Sequence, residues 1–146
     1  RPDMAQGGGP DGGKAGEAKG AKLARPDAHV FTITGDGSFV MNIQELATLR
    51  RYNIALKIVL LDNSSLGLVR QWQELFFDKN FSEIDLSDNP DFVALAHAFG
   101  VHAEAATLAD LAERLRQHVV DPAPSVLVIK AALPPPLTTS PRWPRR

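Results

Sequence analysis

The spacing of apolar residues switches repeatedly between two periods along the chain, and each switch marks an element. His29-Val-Phe-Thr-Ile-Thr34 is a short β-branched run, entered from the turn signal Arg25-Pro-Asp27 and closed at Gly35, as a buried strand is. From Asn42 to Arg51 the apolar Ile43, Leu46, Ala47 and Leu49 recur at helical spacing, with Asn42 as N-cap and Glu45 at the third helical position. Residues 55–61, ALKIVLL, are again strand-like, and Leu66 to Phe77 returns to helical spacing through Leu68, Trp72, Leu75 and Phe76. Asp88-Asn-Pro-Asp91 predicts a capped start for a helix over Phe92 to Phe99, which Gly100 stops. Val101 to Ala105 reads as a weak strand. Thr107 to His118 reads as a helix with Leu108, Leu111 and Leu115 on one stripe, and Ser125-Val-Leu-Val-Ile129 as the last strand.

This alternation predicts an α/β fold, a three-layer open and mostly parallel sheet flanked by helices. In such sheets ligands bind beyond the carboxyl ends of the strands. Two strand ends stand out there, Gly35-Asp-Gly-Ser38 and Asp62-Asn-Ser-Ser65. Glycines around an aspartate let backbone N–H groups approach a diphosphate closely. Asp36 offers a hard anionic oxygen and Asn63 a neutral amide oxygen, a pair that suits Mg²⁺ shared with phosphate oxygens. Taken alone, GDG after a strand is a plain turn more often than a metal site, and Asp-Asn caps turns well. Their occurrence at two consecutive strand ends shifts the balance towards a ligand, without naming it.

Composition narrows the partners. The chain has 146 residues, 44% of them apolar, and 16 Lys+Arg against 17 Asp+Glu. No excess of positive charge is present to neutralise nucleic acid or an anionic membrane. The absence of cysteine excludes a disulfide scaffold, a thiolate metal site and a cysteine nucleophile. No apolar run approaches the ~20 residues of a membrane helix, and no signal-peptide pattern opens the chain, so a soluble cytoplasmic protein is expected. Glycine crowds positions 7–20 and proline positions 134–144. Residues 1–19 are therefore expected to be a flexible leader, 20–133 the folded domain and 134–146 a disordered Pro-rich tail.

The residues carry a resemblance that goes further. GDG followed by Asn63 is similar to the thiamine-diphosphate and Mg²⁺ motif of thiamine-dependent enzymes. GDGSFVMNIQELATL (Gly35 to Leu49), KIVLLDNSSLGLVRQWQELFF (Lys57 to Phe77) and LSDNPDFVALAHAFGV (Leu86 to Val101) resemble the C-terminal cofactor domain of the acetolactate synthase large, catalytic subunit. The resemblance runs from about Gly20 to Ala132. It implies that Asp36, Asn63 and the main-chain carbonyl of Ser65 bind Mg²⁺. Gly35, Gly37, Ser38, Leu66, Gly67 and Leu68 would then surround thiamine diphosphate, and Leu68, Val69 and Trp72 would line the substrate channel. Without the resemblance, Trp72 is better read as a core residue one helical turn from Leu68. His97 and His102 read as surface or partly buried residues, not as ligands.

By the same resemblance, the reaction is decarboxylation of pyruvate and condensation with a second 2-ketoacid such as 2-ketobutyrate, a step of branched-chain amino acid biosynthesis. The family assembles as homo-oligomers, is served by a regulatory small subunit, and binds FAD in a middle domain of the full-length enzyme. Its activating glutamate belongs to a separate N-terminal domain, so no catalytic residue is expected in this chain and the isolated chain is expected to be inactive. Both ends depart from the family: the glycine-rich leader replaces an apolar strand–helix unit, and Met4 matches no methionine of it. Competing readings are a non-catalytic fragment or interaction module, and another thiamine-dependent decarboxylase or carboligase, against which the GLVRQWQ stretch argues.

Overall fold

A computed structural model describes residues 14–131. Four parallel strands form one sheet in the order β1-β2-β4-β3, with β1 Val30–Gly35, β2 Leu56–Asp62, β3 His102–Ala106 and β4 Ser125–Lys130. Six helices connect or precede them: α1 Lys14–Ala24, α2 Asp36–Val40, α3 Glu45–Arg51, α4 Gly67–Phe76, α5 Phe92–Ala98 and α6 Leu111–Val120. The predicted alternation and the parallel α/β class are both present. A parallel sheet needs cover on both faces, and the strands show why the cover differs between them.

Along β1, Val30, Thr32 and Thr34 are buried while Ile33 is exposed. Val30, Leu56, Ile58, Leu60, Val126 and Val128 point to one face, where they meet Leu46 and Leu49 of α3 and Phe92 and Ala96 of α5. The Phe39 and Phe92 rings meet edge-on at 5.7 Å, locking α2 against α5. The opposite face holds a smaller cluster of Val59, Ala106, Leu127 and Ile129 under Leu111 and Leu115. Among the described residues, α4 buries none of its side chains.

Three expectations change. Helix α1 begins inside the segment read as a leader; its Ala18 is fully buried in the main core, and Lys19 pairs with Glu45. Its face of small residues gives too little hydrophobic contrast to register as a period, yet alanine lets the helix sit close to β1. Residues 1–13 and the tail 134–146 lie outside the described residues. The helix read over Asn42 to Arg51 is instead the shorter α3, preceded by turns that continue from α2. Gly35 passes directly into α2, so the chain reaches Asn42 already coiled, with Asn42 N–H bonded to Phe39 O at 3.1 Å. Gln44, not Asn42, therefore precedes the first residue of α3. The helix read from Thr107 starts only at Leu111, because Asp110 Oδ1 accepts from both Thr107 N (2.6 Å) and Thr107 Oγ1 (2.7 Å) and closes a separate turn. Leu108 sits on that turn, 80% exposed and off the stripe.

The predicted stop and start hold. Gly100 takes φ +74°, a conformation natural to glycine, and Asp91 caps α5 by accepting from Val93 N and Ala94 N.

Candidate functional site

The two strand ends singled out by the sequence are neighbours. Register pairs Gly35 of β1 with Leu61 of β2, so the chain leaves both strands side by side at the carboxyl edge of the sheet. The first exit is not a loop, as expected, but a direct strand-to-helix junction with Asp36 as the first residue of α2. The second turns through two successive side-chain bonds: Asp62 Oδ1 accepts from Ser64 N at 3.2 Å, and Asn63 Oδ1 from Ser65 N at 3.0 Å. Ser64 takes a positive φ of 54° there. The two exits touch at Gly37. A Cβ built on it would stand 2.7 Å from a Leu66 methyl, so only glycine allows this approach without displacing the leucine.

Asp36 is 2% exposed. Its Oδ1 accepts from Gly37 N at 2.9 Å and its Oδ2 from the Asn89 side-chain amide at 3.0 Å, which fixes the carboxylate while each oxygen keeps a lone pair. Asp62, equally buried, is paired with Lys130, its register neighbour on β4. Burial pushes the Asp62 carboxyl up, but the Lys130 ammonium, the Ser64 N–H and the Asn89 amide outweigh it and hold the group below its ordinary range. Asn89 thus acts on both aspartates, bonding Asp36 directly and helping to lower Asp62. Segment 84–86 braces the second exit through Leu66 N to Ile84 O at 2.9 Å and Leu86 N to Ser64 O at 3.0 Å.

Between the exits lies a cleft of 460 Å³, lined by Gly35 to Ser38, Asn63, and Ser65 to Val69. A larger hollow of 740 Å³ lies at Ala24 to His29, among the amino ends of the strands, where parallel sheets do not place their ligands. The cleft brings together every residue expected at the cofactor and metal sites. Its oxygen donors, a carboxylate, an amide carbonyl and a main-chain carbonyl, are the set a hard cation takes. The open space beyond the Gly35 Cα, where a Cβ would meet nothing within 4 Å, leaves room for a bulky group to lie against the backbone. Trp72 stands outside the cleft lining. It is 55% exposed, as are Leu68 (45%) and Val69 (41%) in part, so the core reading of Trp72 is wrong.

This chain matches the family model "Thiamine pyrophosphate enzyme, C-terminal TPP binding domain" over residues 4–129. The chain belongs to the thiamine pyrophosphate enzymes. The match enters the glycine-rich leader, further towards the start than the resemblance had run. The acetolactate synthase isozyme 2 large subunit of Escherichia coli (strain K12) is 57% identical over 96 residues, 66% of this chain and 18% of its own length. The probable acetolactate synthase large subunit of Methanocaldococcus jannaschii is 45% identical over 113 residues, 77% of this chain and 19% of its own. The chain thus spans about one fifth of these relatives. Among solved structures, the thiamine diphosphate-dependent 4-hydroxybenzoylformate decarboxylase of Rhodococcus jostii RHA1 superposes with a TM-score of 0.79 at 29% identity, covering 85% of this chain and 24% of that one.

In this thiamine pyrophosphate enzyme domain, sequence reasoning missed Asn89 and Lys130. Asn89 was read only as part of a helix start, and nothing local ties it to an aspartate 53 residues earlier. Lys130 ends a strand as any solvated lysine would; only strand order makes it face Asp62. Among the described residues, no helix is long and apolar enough to cross a membrane.

Proposed function

We propose that this chain is the cofactor-binding domain of an acetolactate synthase large subunit, holding thiamine diphosphate through Mg²⁺. Asp36, Asn63 and the Ser65 carbonyl hold the metal; the Gly37 backbone and the Ser38 hydroxyl line the cleft where the diphosphate would lie. The observation that carries this reading is the cleft itself, in which a buried, amide-held carboxylate faces a second strand exit bearing only oxygen donors. When bound, the cofactor supplies an electron sink for decarboxylation of a 2-ketoacid. The chain's own residues anchor and orient it: Asp36 is held rigid by Gly37 N–H and Asn89, and Gly37 keeps the second exit close.

In the whole protein the substrates would be pyruvate and a second 2-ketoacid such as 2-ketobutyrate, reached along Leu68, Val69 and Trp72, within branched-chain amino acid biosynthesis in the cytoplasm. FAD and a regulatory small subunit belong to that larger assembly. The exposed apolar face of α4, with Leu68, Val69, Trp72 and Phe76 each at least 41% exposed, supports a homo-oligomer in which a neighbour covers it. An activating glutamate supplied by a separate domain of a neighbouring subunit, as the resemblance implies, would leave the isolated chain to bind without turnover.

Calorimetry with thiamine diphosphate tests the reading. Binding should require Mg²⁺, vanish with a chelator and vanish in Asp36→Ala while that variant keeps its fold. Magnesium-independent binding, or equal affinity in Asp36→Ala, would overturn it. Acetolactate formed from pyruvate by the purified chain would overturn the inactive assignment alone.

A further inference from the structure

The cleft uses the carboxyl ends of β1 and β2, and a second cluster sits towards the opposite end of the sheet. His102 opens β3, Glu104 follows two residues later on the same side of the strand, and His118 lies in the last turn of α6. One ligand atom from each lies within 4.8 Å of the other two. The His102 and His118 rings stack at 5.8 Å, and His118 Nε2 stands 3.0 Å from Glu104 Oε1.

His118 is the unusual member. It is 4% exposed and the only residue α6 buries fully. Its Nδ1 lies 2.8 Å from Ser125 Oγ, which in turn accepts from the Lys57 ammonium at 3.3 Å. Nε2 is shielded from solvent and makes no hydrogen bond, since Glu104 Oε1 is near but out of line. With Nδ1 engaged by Ser125 Oγ, the buried Nε2 faces the Glu104 carboxylate oxygen without a hydrogen bond between them.

The rest of the surroundings prepares these atoms. Arg114 pairs with Glu104 Oε2 and bonds Asp110 Oδ2 at 2.7 Å, which orients the carboxylate and leaves Oε1 free to turn inward. His97, the next ring along, is committed elsewhere: its Nε2 accepts from Ala103 N at 3.3 Å. Ser125 gives His118 the outer-sphere partner that metal-bound imidazoles usually have.

We propose that His102, Glu104 and His118 form a site for a divalent transition metal of the zinc class, separate from the Mg²⁺ site of the cleft. Two imidazole nitrogens and one carboxylate oxygen select such ions over Mg²⁺ or Ca²⁺, which take oxygen. His102 is exposed, so the remaining coordination position opens to water. The ion would tie α6 to β3. This site would make a ligand of His102, which the sequence suggests is a surface or partly buried residue and not a ligand.

The test uses the untagged full chain, stripped with a chelator and titrated with Co²⁺, then with Zn²⁺ against a chromophoric chelator, in excess Mg²⁺. One Co²⁺ per chain with visible d–d bands is expected, displaced by Zn²⁺ and not by Mg²⁺. Removal of buried His118 endangers the fold, so exposed His102→Ala and Glu104→Gln carry the test. Each should weaken Zn²⁺ more than about tenfold with an unchanged circular dichroism spectrum, whereas Asp36→Ala should leave Zn²⁺ affinity unaltered. Absent d–d bands, or Zn²⁺ affinity equal in wild type and His102→Ala, would overturn the site and leave a His–Glu contact that binds no metal.

Discussion

Removing the Lys130 ammonium tests how the second strand exit is held. Asp62 is 2% exposed and its side chain fully enclosed, while the Lys130 side chain is 74% exposed. Breaking a buried pair from one side costs about 3–5 kcal/mol, whereas an exposed pair is worth about 0–1 kcal/mol. Lys130→Ala lies between these limits. The carboxylate stays buried but keeps its bonds from Ser64 N and Ser64 Oγ at 3.2 and 3.3 Å, and solvent already screens the lost ammonium. The expected loss is about 1–2 kcal/mol near neutral pH.

The pH dependence follows from the direction of the shift. Asp62 is held below its ordinary pKa in the folded state, so its stabilisation is fully present above the unfolded value of about 3.9 and is lost as pH falls through the lower folded value. Lys130→Ala removes the largest cause of that lowering. The gap between wild type and variant should therefore be widest near neutral pH and close in acid. Urea unfolding followed by circular dichroism, repeated down the pH scale, measures both effects. Identical midpoints near neutral pH, or a gap that does not narrow in acid, would refute the reasoning.

Leu49→Ala empties a position that is 1% exposed and should cost about 2–5 kcal/mol, whereas Trp72→Ala, at 55% exposure on α4, should stay within about 0.5 kcal/mol in the same unfolding assay. A large loss for Trp72→Ala would mean that its ring packs in solution. Gly100→Ala forces a side chain into φ +74° with its Cβ 3.2 Å from Arg50 Nε, and should lower stability by about 1–2 kcal/mol. Gly100→Asn, which tolerates that backbone, should lose less; equal melting temperatures for glycine and alanine would contradict the strain argument.

The strands and the oxygen-bearing residues at their ends were legible because both are local. A β-branched run ending at Gly35 and the ALKIVLL run announce buried parallel strands wherever they occur, and Asp36 and Asn63 follow from standing at their ends. Helix ends were less legible where side chains compete with the backbone, as Asp110 does by closing a turn on Thr107. Helix α1 escaped because burial of Ala18 against β1 depends on closeness, which leaves no mark in hydrophobic periodicity. Asn89, Lys130 and the His102–Glu104–His118 cluster were illegible for another reason: each gains its role from strand order and register, which bring distant positions together.

Asn89 reaches Asp36 from a stretch that forms neither helix nor strand and runs through Asp78, Lys79 and Glu83, all at positive φ. Its tethers run mainly to α4 and the second exit: Gln73 bonds Ser82 twice and accepts from Lys79 N, Arg70 lies over the Phe81 ring, and Ser65 bridges Asp85. The sheet's main core is built without this stretch, but the fixed geometry of Asp36 is not. Occupancy of the cleft therefore reports whether the connection is seated, and not merely whether the domain has folded. A protease cut between Phe77 and Ser82 would uncouple the two, leaving a folded sheet in which Asn89 no longer fixes Asp36.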